Sequence, residues 1–407
     1  MEIKEKMPSV IKNAARVGLA TAALSGGALV STNENSFAIP QTNPYELKLE
    51  DNLQKGVDTS SMVYKVIVGG IARDGADFPT EFGFNTHLYA NAEPDNLDVN
   101  RFKKTVDELV ANNQSWIRFN IPRWEGSSLL NGKLLWNEEE LKIFDEAIDY
   151  TYNKGLQTFL VVSPPSVEAN FSKDGYTKIT HDYFTTLAMR YKDKINIWQI
   201  NNEIDLHSPA DYSENTFEKR DQEFILSHVR AASDAIRAID PSATITVNVS
   251  GWPMNDKTQE NWEKFIEPLL PYINVVSLDL YPDGNTEEIK KLPIRVEEIR
   301  RKFKLPIYIS ETGICTVGCD LNNLTQKDII TQTIHELLKA RPNAIIIYEY
   351  TDELKHEDFP KRPISDQVQG SFGVTRMDGS KNPGFEEIIR AMQPQFNKVA
   401  NKLSDSR

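Results

Sequence analysis

Cysteine is scarce in this chain: two among 407 residues, Cys315 and Cys319. Two cysteines cannot build a disulfide framework, and no second cysteine or histidine pair stands beside them to complete a zinc site. A local bridge and two free thiols are equal alternatives here, because geometry decides between them. Histidine is also sparse, six in all, with no His-x-His or His-Glu-x-x-His spacing, so the sequence calls for no metal and no cofactor. Positive charge is in deficit: 46 Lys and Arg face 59 Asp and Glu, a net charge of −13. That balance argues against nucleic acid or an anionic membrane as partner and suits a neutral ligand. No specific protein partner is inferable. Low-complexity runs are absent, which excludes disordered, collagen-like and coiled-coil classes. The body also lacks any apolar stretch of about 20 residues, the length of a membrane span.

What is present begins with an address. Lys4, Lys6, Lys12 and Arg16 precede an apolar, Ala/Gly-rich run at 17–30, and Ser36-Phe37-Ala38 follows a polar stretch. This order is that of a secretory signal or anchor over residues 1–38, which implies a secreted or cell-envelope-associated protein. Residues 39–61 read as a polar linker, 62–400 as the folded body and 401–407 as a polar tail.

The body alternates short β-branched or aromatic runs with amphipathic helical stretches. The runs lie at 82–89, 115–122, 158–165, 195–203, 244–252, 273–282, 306–313 and 344–352. Their spacing of about thirty to fifty residues fits one strand, one helix and two loops. Runs such as Phe159-Leu160-Val161-Val162 and Ala344-Ile345-Ile346-Ile347 are apolar on both sides, as in a parallel sheet wrapped by helices. Between them, Asn137 with Glu140 has capping-box spacing ahead of Leu141, Phe144 and Ile148, and Gly155 ends that helix. Further apolar stripes fall at 218–238, 325–338 and 385–392. Eight such units imply one α/β domain, a (β/α)8 TIM barrel. The structural runner-up, an open doubly wound sheet, lacks the glycine-rich phosphate turn that dinucleotide work needs.

In a barrel of this kind the chemistry sits at the C-terminal ends of the strands. Those ends carry Asn85, His87, Arg118, Asn120, Ser163, Asn202, Glu203, Asn248, Asp279, Tyr281, Glu311, Glu349 and Asp352. Tyr89, Trp124, Trp252 and Tyr350 flank them. Aromatic faces beside carboxylates and amides suit a sugar ring, which has apolar C–H faces and a hydroxyl rim. Trp124 and Trp252 are equally open to a role in core packing, and His207 reads as a solvated loop residue. Glu203 and Glu311 end the fourth and seventh runs, on strands that lie across a barrel from each other. Two facing carboxylates in different protonation states are what glycoside hydrolysis requires. Arg118 would hold one of them ionised, and Tyr281 could donate to it. Asn202 and Glu203 are adjacent, so both reach a ligand only if the strand end bulges or turns.

Trp198-Gln199-Ile200-Asn201-Asn202-Glu203 and Tyr308-Ile309-Ser310-Glu311-Thr312-Gly313 resemble the acid/base and nucleophile strands of clan A of the glycoside hydrolases. Arg118, Leu280-Tyr281-Pro282 and the closing stretch from Gly370 to Pro383 extend the likeness over most of 82–388. The resemblance implies a retaining (β/α)8 enzyme that cleaves a β-linked oligo- or polysaccharide. Under it, Glu203 is the acid/base, Glu311 the nucleophile, and Asn202 holds the sugar 2-hydroxyl. Arg118 and Tyr281 orient Glu311, and His87 matches a first-strand substrate position. Where many members carry proline after the acid/base this chain has Ile204, and where many carry a strand-eight tryptophan it has Tyr348 and Tyr350. The alternative reading is a carbohydrate-binding barrel without turnover.

Overall fold

The computed structural model describes residues 79–393 except 91–92, 122–126, 131–132, 164–171, 205–221, 249–255, 283 and 356. The expected signal or anchor segment, the linker, the polar tail, Trp124, Trp252 and His207 lie outside the described residues. Eight parallel strands form a nearly closed barrel: β1 (Glu81–Asn85), β2 (Trp116–Ile121), β3 (Gln157–Val162), β4 (Ile197–Ile200), β5 (Thr244–Thr246), β6 (Val276–Leu280), β7 (Ile307–Thr312) and β8 (Ala344–Ile347). The hydrogen-bonded order is β6-β7-β8-β1-β2-β3-β4-β5. Between β5 and β6, single bonds replace a ladder: Asn274 N donates to Ile245 O at 3.0 Å, and Thr246 Oγ1 to Ser277 Oγ at 2.9 Å.

Each expected run overlaps one of these strands, and β1 and β3 begin one residue before theirs. Helices return the chain between them: α1 (Val99–Ala111), α2 (Glu138–Asn153), α3 (Lys173–Tyr191), α4 (Gln222–Ile239), α5 (Asp256–Ile266), α6 (Thr286–Phe303) and α7 (Gln326–Ala340). After β8 come α8 (Ile364–Gln369) and α9 (Phe385–Ala391). Capping is local and legible. The Asn137 side chain accepts from the backbone of Glu139 and Glu140 to start α2, and Thr325 with Asp328 closes a capping box on α7.

The period-two alternation of the strands divides the core in two. Phe82, Phe84, Ile117, Phe119, Leu160, Val162, Ile245, Leu278, Ile309 and Ile345 face the helices and join one large apolar cluster. The intervening residues fill the barrel. Trp116, Phe159 and Tyr308 pack edge-on as an aromatic plug, with ring centroids 5.7–6.4 Å apart. Beneath it, Glu81 accepts from Trp116 Nε1 at 2.7 Å and Gln157 Nε2 at 2.9 Å. Gly83 admits the neighbouring strand: a Cβ there would lie 2.2 Å from the Trp116 carbonyl oxygen. Asn196, Asn274 and Asn343 each precede an even-numbered strand and accept from the backbone N–H of Thr158, Ile245 and Ile307 on the strand before. Cys315 and Cys319 are bridged, with Cα atoms 5.7 Å apart, in the loop after β7.

The plug is also the floor of the site, since the Arg118 guanidinium carbon lies 5.6 Å from the Phe159 ring centroid. Phe159→Ala should therefore lower unfolding free energy by about 3–5 kcal/mol in chemical denaturation. A loss below about 1 kcal/mol would contradict a packed barrel interior.

Candidate active site

Above the aromatic floor the inward positions turn polar, and their side chains bond across strands. Arg118 on β2 is 3% exposed and is the hub. Its Nη1 donates to Glu311 Oε1 at 2.7 Å and also to Asn85 on β1. Its Nη2 donates to Asn202 Oδ1 at 2.8 Å, and both Nη2 and Nε reach Gln199 Oε1 on β4, at 2.9 and 3.1 Å. A planar guanidinium with a fixed fork of donors can bind four side chains at once, which a lysine cannot.

Two departures from regular strand geometry aim the glutamates. On β7, Leu278 pairs with Ile309 but Asp279 pairs with Glu311, so one extra residue is inserted. The partner ladder with β8 shows the same shift between Ile309 and Thr312. The bulge lets consecutive Ser310 and Glu311 both turn inward. Ser310 Oγ bonds Asp279 Oδ1 at 2.6 Å, and Tyr281 hydroxyl donates to Glu311 Oε2 at 2.6 Å. At the end of β4, Asn201 and Glu203 adopt left-handed φ values of 60° and 41°. A non-glycine residue there carries about 1–3 kcal/mol of strain, which the surroundings hold. Asn248 Oδ1 accepts from Glu203 N at 2.8 Å, and Asn248 O accepts from Ile204 N at 3.2 Å. This turn breaks the regular alternation that would send Asn202 and Glu203 to opposite faces.

The network also orients the Asn202 amide. Its oxygen accepts from Arg118, from Asn248 Nδ2 at 3.0 Å and from Gln199 Nε2 at 3.3 Å. The amide NH2 is thereby the end left to donate to a ligand hydroxyl.

Asp279 is fully buried beneath this layer. Burial, and then the charge of Glu311, push its carboxyl well above the usual range, against the pull of Arg118, Ser310 and Asn248. Its two oxygens take Ser310 from the Glu311 strand and Asn248 from the Glu203 side, so it ties both halves of the site together. Burial and the charges of Glu311 and Asp279 also raise Tyr281 well above the phenol range, which keeps its proton in place for Glu311. The charge of Glu203 acts on Tyr281 in the same sense, so this phenol lies within the field of both glutamates.

A second polar cluster borders the same mouth. His87 Nε2 lies 3.2 Å from Glu349 Oε2 and 3.2 Å from Glu353 Oε1. Tyr348 hydroxyl reaches Glu353 Oε1 at 3.0 Å and His87 Nε2 at 3.4 Å. Burial opposes charge on His87, but Glu353 and Glu349 outweigh it and push the imidazole up to about 10. Burial and the neighbouring Glu353 raise Glu349 to about 8, and His87 holds Glu353 below its usual value against burial. Among the described residues, His87, Glu349 and Glu353 are the group able to offer three metal-ligand atoms within 4.8 Å of one another.

Of the residues singled out in the sequence, Glu311, Arg118, Tyr281 and Asn202 meet in one bonded network, with the Glu203 backbone tied into it through Asn248. His87 sits in the adjoining cluster. Tyr350 needs correction as a sugar platform: it is 2% exposed, its hydroxyl bonds Glu108 on α1, and its ring packs on Phe84 and Phe385. The alternation of β8 ends after Ile347, so Tyr348 takes the mouth position and Tyr350 turns to the helix layer. Ring contacts with Tyr281 and Phe372 fix Tyr348 there. Missed in the sequence were Gln199, Ser310 and Glu353. Period-two counting back from Asn201 would have found Gln199; nothing local marks Glu353, which sits in a loop.

A search of curated proteins finds no match. Similar solved structures include an exo-β-1,4-mannosidase, Op5Man5, from Opitutaceae bacterium strain TAV5, at 17% identity and a TM-score of 0.57, covering 80% of this chain. This chain spans 61% of that one's length. A GH5_18 variant from Streptomyces cattleya in complex with Manβ1-4GlcNAc matches at 14% identity and a TM-score of 0.61, covering 78% of this chain and 81% of its own. An endo-1,4-β-mannanase from Rhizomucor miehei matches at 14% identity and a TM-score of 0.54, covering 79% of this chain and 96% of its own. At such identities the likeness is one of fold. A family profile goes further: residues 72–340, more than half of the sequence, match cellulase, glycosyl hydrolase family 5, and the chain belongs to that family.

Proposed function

We propose that the protein is a retaining glycoside hydrolase acting on a β-linked oligo- or polysaccharide, with Glu311 as nucleophile and Glu203 as acid/base. The observation that carries this reading is the bulged strand end. It presents Glu311 between the Arg118 guanidinium and the Tyr281 hydroxyl, beside the turn that bears Asn202 and Glu203. In the first step Glu311 attacks the anomeric carbon while Glu203 gives its proton to the departing oxygen. In the second, Glu203 takes a proton from water, which attacks the same carbon and frees Glu311. The Asn202 NH2 donates to the sugar 2-hydroxyl, a bond that strengthens as charge develops on the ring. Tyr348 replaces Tyr350 as the aromatic wall. The similarity to an exo-β-1,4-mannosidase and an endo-1,4-β-mannanase makes β-mannosides the first substrates to try. The Cys315–Cys319 bridge supports export, since such bonds persist in oxidising compartments.

Glu311→Ala should abolish turnover of an activated aryl β-glycoside. Glu203→Ala should slow it, with azide restoring rate on a good leaving group and NMR showing a β-configured azide product. Full activity of Glu311→Ala would reject the assignment.

Asp279→Ala removes the tie between Ser310 and Asn248 without touching substrate. We expect kcat to fall by about 10²-fold with KM little changed, the cost of misplacing both carboxylates slightly. The pH–rate profile should shift as well, because a buried titratable carboxyl that lies in the field of the Glu311 charge is gone. An unchanged profile would leave Asp279 a packing residue only.

A further inference from the structure

We propose that His87 and Glu353, backed by Glu349, form a clamp that reads free hydroxyl groups of a neutral sugar held on Glu311. The proposal rests on the hydrolase reading and adds the recognition element to it. The cluster is one aromatic side chain removed from the nucleophile. Tyr281, bonded to Glu311, lies 6.4 Å ring to ring from Tyr348, and Tyr348 bonds Glu353. Its members leave β1 and β8, adjacent strands that open on the same mouth. The side chains of His87 and Glu353 keep 12% and 7% of their surface accessible, so a ligand in the mouth can touch both. Glu349 at the back is fully enclosed, with its Oε2 turned to His87 Nε2 at 3.2 Å; its Oε1 and the Nδ1 of His87 have no hydrogen bond among the described residues. Buried polar atoms in that state call for a partner.

The chemistry of the cluster selects what that partner is. It offers donors on His87 and Tyr348 beside acceptors on Glu353, and a sugar hydroxyl both donates and accepts. A divalent cation fits less well. Arg101 is hydrogen-bonded to the His87 carbonyl at 3.4 Å and already feels the charges of Glu349 and Glu353. With His87 protonated and Glu349 inclined to keep its proton, the positive charges match or exceed the negative ones, and a metal would first have to displace the imidazole proton. A neutral glycone with unsubstituted hydroxyls needs no such displacement, since its hydroxyls can accept from His87 and donate to Glu353.

The test is a panel of aryl β-glycosides, with monodeoxy analogues of whichever glycone is turned over best. Removal of a hydroxyl that the clamp reads should cost on the order of 10²-fold in kcat/KM, because a charged partner loses its bond. Glu353→Gln should lose a similar factor on the parent glycoside and little more on that one analogue, while keeping the full loss at the other ring positions. Equal losses from Glu353→Gln on every analogue would mark a structural role and overturn the clamp. So would Glu353→Gln kinetics identical to the wild type. A thermal-shift stabilisation by Zn2+ or Ca2+ that vanishes in Glu353→Gln would assign the cluster to a cation and overturn it too. If no glycoside is turned over at all, the hydrolase reading falls and the clamp with it.

Discussion

The buried ion pair between Arg118 and Glu311 is the constraint around which the site is arranged. Both side chains lie almost wholly out of water, at 4% and 7% exposure. Two such charges repay desolvation only if geometry is good and the remaining donors are used. Here they are used: the guanidinium also serves Asn85 on β1, Gln199 on β4 and Asn202 in the turn after β4. The pair thus fixes the relative placement of β1, β2, β4 and β7 at one level of the barrel. Its own support is the aromatic plug below, which leaves Arg118 no lower position to occupy.

Function in this molecule gathers where strand regularity breaks. Regular alternation would send Ser310 and Glu311 to opposite faces, and Asn202 and Glu203 likewise. A bulge in β7 brings Ser310 and Glu311 to one side, and a left-handed turn breaks the alternation after β4. Asp279 and Asn248 hold these two irregularities against each other, which explains a fully buried carboxyl that touches no ligand. Both irregularities fall at C-terminal strand ends.

The fold was legible because it rests on local rules. Eight apolar runs, the cap at Asn137 and the helical stripes between them suffice to indicate a parallel barrel. The network around Arg118 was legible too, since Glu311, Asn202 and Tyr281, which bond it or one another, lie at or just past strand ends. Tyr350 misled, because the face a residue takes after a strand stops depends on the path of the chain rather than on parity. Glu353 was invisible for a similar reason: its meeting with His87 joins residues 266 positions apart through a loop. The tie made by Asp279 depends on Ser310 of β7 and on Asn248 just after β5, and no sequence spacing encodes these contacts.

The most direct test of the central claim is mass spectrometry of the protein incubated with a 2-deoxy-2-fluoro glycoside bearing a good leaving group. The fluorine slows both steps, and the leaving group lets the first proceed, so a retaining enzyme accumulates as its glycosyl ester. The account predicts one added glycosyl mass, mapped to Glu311, and its loss from Arg118→Lys protein, in which the forked support of the nucleophile is gone. A label on another carboxylate, or efficient turnover of the parent glycoside with inversion at the anomeric carbon, would contradict it.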